Sequence, residues 1–139
     1  MGFTGAVYDE RYVYFVPFQN DGVLVGEVLR YDTTSDFSSP EAWATFDTGA
    51  VASHAGYHGG VFDGRYLYLV PWGLSGEQHG EVVRYDTTQD FESVASWAAY
   101  EAGTDGVGDD PQGYKGATFD GRFLYFAPWD NGSGPHGEI

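Results

Sequence analysis

The sequence predicts an all-β protein, and the main observation behind this prediction is one segment that it contains three times. The copies run from Tyr8 to Phe18, from Phe62 to Trp72 and from Phe119 to Trp129, and their shared arginine recurs at intervals of 54 and 57 residues. Each copy is typical of a short strand, a tight turn of the Asp-Gly kind and a second strand rich in aromatic residues. A unit repeated at such a period predicts β-propeller blades or a related repeat array.

Each complete repeat is predicted to hold four antiparallel strands, and the second repeat defines them best. They cover 60–62, Arg65 to Trp72, Glu81 to Tyr85 and Trp97 to Tyr100, with a helical turn before the last. The second strand is apolar on both faces, which is typical of a sheet that is covered on both sides. We therefore predict blades that pack face to face.

The chain is predicted to be a single propeller segment, 1–139, with two full blades and a partial third. The repeats are predicted at 5–58, 59–115 and 116–139. Because repeat arrays need about three units to bury a core, we expect another chain to complete the ring. A homodimer is favoured, since closed cyclic dimers are the commonest homo-oligomers. The alternative is that the chain is a fragment of a longer propeller.

The charge balance restricts the partners. There are 21 acidic residues against six basic ones, which gives a net charge of −15. Such a field repels phosphates, so neither nucleic acid nor a membrane is an expected partner. The acidity indicates either a solubility adaptation, such as one to high salt, or a cationic ligand. The absence of cysteine excludes disulfides and thiolate metal sites. No long apolar run or leader is visible, so a soluble protein of undetermined compartment is expected.

Part of the repeat resembles a known family. The run from Gly59 to Tyr68, followed by Arg84 to Thr88 and then Trp97, resembles a kelch-type β-propeller blade. The resemblance implies a propeller fold. The double glycine expected after the second strand is replaced in each repeat by proline and an aromatic residue, as in Pro71-Trp72.

A search for catalytic groups gives one candidate set. Ser75 lacks the G-x-S-x-G pattern that surrounds the nucleophilic serine of α/β-hydrolases. Asp9, Asp63 and Asp120 recur at the first turn, where paired carboxylates could act as acid and base in glycoside hydrolysis, or could simply satisfy the turn. We therefore predict a non-enzymatic binding module. The alternatives are a glycoside hydrolase or lyase-like propeller with carboxylates at the channel mouth, and a structural fragment without a ligand.

The four histidines predict no metal site. His79 and His136 share one repeat position, and His54 and His58 lie four residues apart. Spacing alone does not supply a full set of ligands. No metal and no cofactor are therefore predicted.

Aromatic residues beside polar loops form the candidate binding surface. Aromatic faces next to amide and carboxylate groups suit sugar rings, and a peptide is the other expected ligand. The same aromatic residues could instead pack between blades, and the two tyrosines could line a channel or pin the crossing loops. The residues predicted to contact the ligand are Phe18, Trp72, Trp129, Asn20, Asp130, Asn131, Tyr57 and Tyr114.

Overall fold

The computed structural model describes residues 2–74, 76–103 and 108–138. Ser75 lies outside these ranges, and so do residues 104–107 of the predicted second crossing segment, which spans 101–115. The strands are β1 (Gly2–Tyr8), β2 (Tyr12–Asn20), β3 (Val23–Leu24), β4 (Glu27–Asp32), β5 (Trp43–Asp47), β6 (Tyr57–Phe62), β7 (Tyr66–Pro71), β8 (Glu81–Asp86), β9 (Trp97–Glu101), β10 (Tyr114–Phe119) and β11 (Leu124–Pro128). Single 3₁₀ turns cover Pro40–Ala42, Thr48–Ala50 and Val94–Ser96.

The strands form three antiparallel sheets, and the prediction of an all-β fold is confirmed. The first sheet has the order β1-β2-β4-β5, with β3 paired to the end of β2. The second has the order β6-β7-β8-β9, and β10 pairs with β11 in the third. The four strands and the helical turn predicted for the second repeat are all present. Within the described residues no sheet closes on itself.

The first strands of the three sheets lie side by side, with β6 between β1 and β10. In each sheet the second strand has a proline that pairs with a residue of the first strand next to a β-bulge. In the second sheet, for example, Pro71 pairs with Tyr57, and the register shifts between Tyr57 and Gly60. Proline has no amide hydrogen and is tolerated in a strand at such bulges. This position explains the proline that replaces the expected double glycine.

An aspartate shapes the turn between the first two strands of each sheet. In the second sheet Asp63 Oδ1 accepts hydrogen bonds from the amides of Arg65 and Tyr66, at 2.8 and 2.6 Å. The next residue, Gly64, has a φ of +101°, a conformation that glycine adopts without a steric cost. The first sheet has Glu10 at this place, with a φ of +82°.

Aromatic side chains fill the space between the first and second sheets. Phe46 on β5 stacks on Trp97 of β9, and Tyr14 on β2 contacts the rings of Tyr85 and Phe91 at 5.9 and 6.0 Å. The guanidinium of Arg30 lies 4.4 Å from the Phe91 ring centre. Such aromatic pairs contribute about 0.5–1.5 kcal/mol each beyond the area that they bury. The two sheets therefore share one core.

Candidate functional site

A glutamate that recurs at one position of the repeat anchors the segment that crosses from the repeat before. Glu81 Oε2 accepts hydrogen bonds from the amides of Ser53 and His54, at 2.9 and 2.8 Å. Glu138 Oε2 accepts the amides of Asp109 and Asp110 in the same way, at 3.0 and 3.1 Å. Hydrogen bonds to a charged acceptor are about twice as strong as neutral ones. We call this arrangement the carboxylate clamp.

The first repeat has the glutamate of the clamp without a segment bound to it. Glu27 occupies the repeat position of Glu81 and Glu138, and its side chain is exposed. Among the described residues it accepts no hydrogen bond from a crossing segment. The clamp of the first repeat is thus open to solvent.

The structure brings the two predicted tryptophans together through a lysine. The ammonium of Lys115 lies 4.5 Å from the ring centre of Trp72 and 4.2 Å from that of Trp129. This is the geometry of a cation–π interaction with both indoles. On Trp72 the edge of the His58 ring adds a further contact at 6.2 Å. Trp72 is therefore engaged by neighbouring side chains.

Trp129 is the more accessible indole, with 54% of its surface exposed. The loop beside it is held by side chains, since Asp130 Oδ1 accepts the amide of Gly132 at 2.8 Å and Asn131 Oδ1 accepts that of Ser133 at 3.1 Å. Gln112 Nε2 donates to the main-chain oxygen of Asn131 at 2.9 Å. Trp129, Asp130 and Asn131 thus form one preorganised surface.

Phe18 and Asn20 stand apart from this surface. Phe18 is partly buried within β2, and among the described residues its ring has no contact with the rings of Trp72 or Trp129. Asn20 is exposed at the end of β2, where it pairs with Val23. Equivalent positions in the repeat therefore do not all meet at one place.

Both predicted tyrosines are buried and serve packing. The Tyr57 hydroxyl donates to the main-chain oxygen of His54 at 3.2 Å, and its ring meets the edge of His79. Tyr114 packs in the same manner against His136, with the ring centres 5.6 Å apart. Burial raises the pKa of Tyr114 to about 12. The sequence left open whether these tyrosines line a channel or hold the crossing segments in place. Their burial favours the second alternative.

The recurring aspartates of the first turn are occupied by local hydrogen bonds. In addition to its two amides, Asp63 accepts the hydroxyl of Tyr68 through Oδ2 at 3.0 Å. Close by, Arg65 Nη2 pairs with Asp86 Oδ2 at 2.7 Å, and this hydrogen bond holds the pKa of Asp86 well below its usual value. These carboxylates stabilise turns and strand ends.

A cluster that sequence reasoning missed lies where the first crossing segment meets the second sheet. One ligand atom each from His54, Glu81 and Glu101 lie within 4.8 Å of one another. His54 Nδ1 is 3.0 Å from Glu81 Oε2, and the His54 ring stacks on His79 at 5.2 Å. The sequence carries a partial signal, because Glu81 is repeated, but nothing in it places His54 above that residue.

An apolar groove of about 460 Å³ separates the second sheet from the β10–β11 pair. Tyr68, Val82 and Tyr100 line one wall, and Leu124 and Phe126 line the other. The equivalent wall of the first sheet is covered by Tyr85, Phe91 and Trp97. The second sheet thus lacks the aromatic cover that the first sheet has.

No protein-family model, curated protein or solved structure matches this chain. The helices of the described residues are single turns, and none has the length and apolarity needed to cross a bilayer.

Proposed function

We propose that this chain is a non-enzymatic, kelch-like β-propeller segment that assembles with a second copy of itself and binds a carbohydrate or peptide at the end of its third sheet. The repeated sheets and their shared core support the assembly. The exposed indole of Trp129 and its ordered loop support the binding.

The observation that carries the proposal is an aromatic set that is buried in one repeat and partly exposed in the repeat before it. In the second repeat the set is packed between two sheets. The members of the set are Tyr85, Phe91 and Trp97 in the second repeat and Tyr31, Phe37 and Trp43 in the first. In the first repeat the three rings make ring contacts, within the described residues, only with each other and with Phe15, and Phe37 is 66% exposed. A partly exposed aromatic cluster of this kind is typical of an interaction surface.

The chain also carries the opposite half of that interface without a partner. Tyr125 on β11 occupies the repeat position of Tyr14, whose ring contacts the buried set, and Tyr125 is 43% exposed. We propose that the face with Tyr125 in one copy packs on the cluster around Phe37 in the other. This contact is head-to-tail, and two such contacts close a dimer.

The mass of the particle in solution, measured by light scattering at low and high salt, tests the assembly. With a net charge of −15, two copies repel each other, and the screening length falls from about 30 Å at 0.01 M salt to about 3 Å at 1 M. We expect a dimer at high salt that dissociates at low salt. A monomer under both conditions, at protein concentrations of tens of micromolar, would contradict the proposal.

The proposed ligand contact centres on Trp129. The C–H face of a sugar ring or an apolar peptide side chain can stack on its indole, while the neighbouring Asp130 and Asn131 provide polar groups. Trp72 has a supporting position, because it is only partly exposed and lies against His58, whereas 54% of Trp129 is exposed. Binding of glycans or peptides therefore should depend on Trp129 first.

The glycosidase alternative has no supporting observation of its own. Asp9, Asp63 and Asp120 each accept two main-chain amides and a tyrosine hydroxyl in their own turns. Turnover of an aryl glycoside that is abolished by Asp63→Asn, with the fold retained, would overturn the assignment as a non-enzyme.

A further inference from the structure

We propose that His54, Glu81 and Glu101 form a site for one divalent transition-metal ion, with Zn²⁺ as the best match. Each residue offers one ligand atom, and these atoms lie within 4.8 Å of one another. The site lies between the first crossing segment and the second sheet. It is independent of the proposed assembly and of the surface around Trp129.

The strand register places the two carboxylates together. Glu81 and Glu101 are direct partners across β8 and β9, and Glu81 is only 8% exposed. Like charges opposite each other in a sheet destabilise it. The first repeat has the same acidic pair, Glu27 opposite Asp47, but there Glu27 is exposed and no histidine of the described residues joins the pair in a cluster. In the second repeat a divalent cation bound to both carboxylates would reduce the repulsion between them.

The protein holds the imidazole and one carboxylate in position before any ion binds. Glu81 Oε2 accepts a hydrogen bond from the main-chain amide of His54 and lies 3.0 Å from its Nδ1. Glu81 therefore holds both the main chain and the ring of His54. Gly80 leaves room for the other carboxylate, because a Cβ there would lie 2.9 Å from Glu101 Oε1. The His54 side chain is 53% exposed, which provides an entry path from solvent.

A second histidine next to the cluster has an unsatisfied nitrogen. His79 is 2% exposed, and its Nε2 lies 3.0 Å from the main-chain oxygen of Gly56. Its Nδ1 is buried without a hydrogen-bond partner in the described part of the chain, and its ring stacks on that of His54. Buried polar groups are rarely left unpaired, so this nitrogen is suited to accept a hydrogen bond from a water molecule beside the cluster.

The donor set selects the class of ion. Imidazole suits Zn²⁺ and its neighbours, whereas Mg²⁺ and Ca²⁺ prefer oxygen alone. Three protein ligands at about 2.0–2.2 Å from Zn²⁺ leave a position for water. Two carboxylates balance the charge of one divalent ion. The ion would then fix the crossing segment to the second sheet.

Titration of the metal-stripped chain with Zn²⁺, followed by calorimetry in about 0.5 M salt to screen nonspecific attraction, tests the site. We expect one ion per chain. Loss of a ligand in His54→Ala or Glu101→Gln should weaken Zn²⁺ binding by at least about tenfold. Even substitution of residues that only hydrogen-bond to a metal ligand lowers metal affinity by about that factor. The matched control is Glu27→Gln with Asp47→Asn, which removes the equivalent acidic pair of the first repeat and should leave the affinity unchanged.

Co²⁺ provides a second measurement, because its visible spectrum changes when a nitrogen ligand binds it. The spectrum of the Co²⁺-loaded chain should differ between the unaltered protein and His54→Ala, while circular dichroism in chelator verifies that both are folded. If His54→Ala does not fold, His54→Gln takes its place. No saturable binding, equal affinity in the ligand variants, or a loss in the control that matches theirs would each overturn the proposal.

Discussion

Phe46 and Trp97 stack in parallel where the first two sheets meet, with their ring centres 4.2 Å apart and their planes within 1°. Both rings are buried, and both come from the fourth strand of their repeats. The contact joins the outermost strands of two neighbouring sheets. One repeat therefore stabilises the next along the whole width of the sheet, and not only at its first strand.

The turn at Glu10 should become more stable with glycine. Glu10 has a φ of +82°, whereas the equivalent turns have Gly64 and Gly121. Glu10→Gly should raise the free energy of unfolding by about 0.5 kcal/mol, because relief of about 1–2 kcal/mol of strain exceeds the entropic cost of glycine. Gly64→Ala should lower it by about 1 kcal/mol, since open space surrounds the site and only the backbone is strained. Urea unfolding measures both changes, and a loss of stability in Glu10→Gly would contradict the prediction.

The stability of the fold should fall as the pH drops below about 6.5, partly through His79. Burial lowers the pKa of this histidine below its ordinary value of 6.5. Below pH 6.5 the unfolded chain therefore binds a proton that the folded chain excludes, and stability is lost by at most about 1.4 kcal/mol per pH unit. Above that pH the contribution is fully present.

The first repeat supplies the control for this pH dependence. It has Val25 at the position of His79. His79→Val should reduce the slope of stability against pH between 7 and 5, and the main-chain oxygen of Gly56 stays paired because it also accepts the amides of Trp72 and Gly73. Equal slopes in the two proteins would show that His79 does not contribute.

A charge at Phe37 should prevent self-association. Phe37→Asp places a carboxylate in the exposed aromatic cluster, and burying it in an interface without a partner costs several kcal/mol. The particle at high salt should change from dimer to monomer in light scattering. Val23→Asp adds the same charge at a residue that is 67% exposed and lies outside the cluster, so it should remain dimeric. A dimer that persists in Phe37→Asp would place the interface elsewhere.

Removal of the Trp129 indole should weaken ligand binding. In a glycan or peptide array we expect Trp129→Ala to lose about 1–3 kcal/mol of binding free energy, or about 5- to 150-fold in affinity, as for other aromatic anchors. Phe123→Ala is the matched control, because Phe123 is 51% exposed at the opposite end of β11. Binding that is unchanged in Trp129→Ala would exclude the proposed surface.

Local patterns were sufficient to predict most of the strands, although β3 was not predicted and β6 begins at Tyr57, three residues before the predicted strand. The aspartate turns, the alternation of apolar residues and the repeat period each involve residues near one another in sequence, and the strand register follows from them. The same reasoning placed Tyr57 and Tyr114 in the candidate surface. Their burial depends on contacts with His79 and His136, more than 20 residues away, which a local pattern does not encode.

The candidate site was predicted only in part for a related reason. Repeat equivalence suggested that Phe18, Trp72 and Trp129 act together, but only the two tryptophans meet, through Lys115. The residues at the repeat position of Lys115 are His58 in the second sheet and Thr4 in the first, and neither has a lysine's ammonium group. The cluster of His54 with Glu81 and Glu101 was missed because it forms across 27 and 47 positions of sequence.

The carboxylate clamp couples the second and third repeats to the repeats before them. The hydrogen-bond partners of its glutamate belong to the preceding crossing segment, as Glu81 depends on Ser53 and His54. Folding cooperativity in such an array passes between nearest neighbours. A repeat inserted before the first would meet Glu27, exposed at the same repeat position, so the clamp of that junction would need no new glutamate.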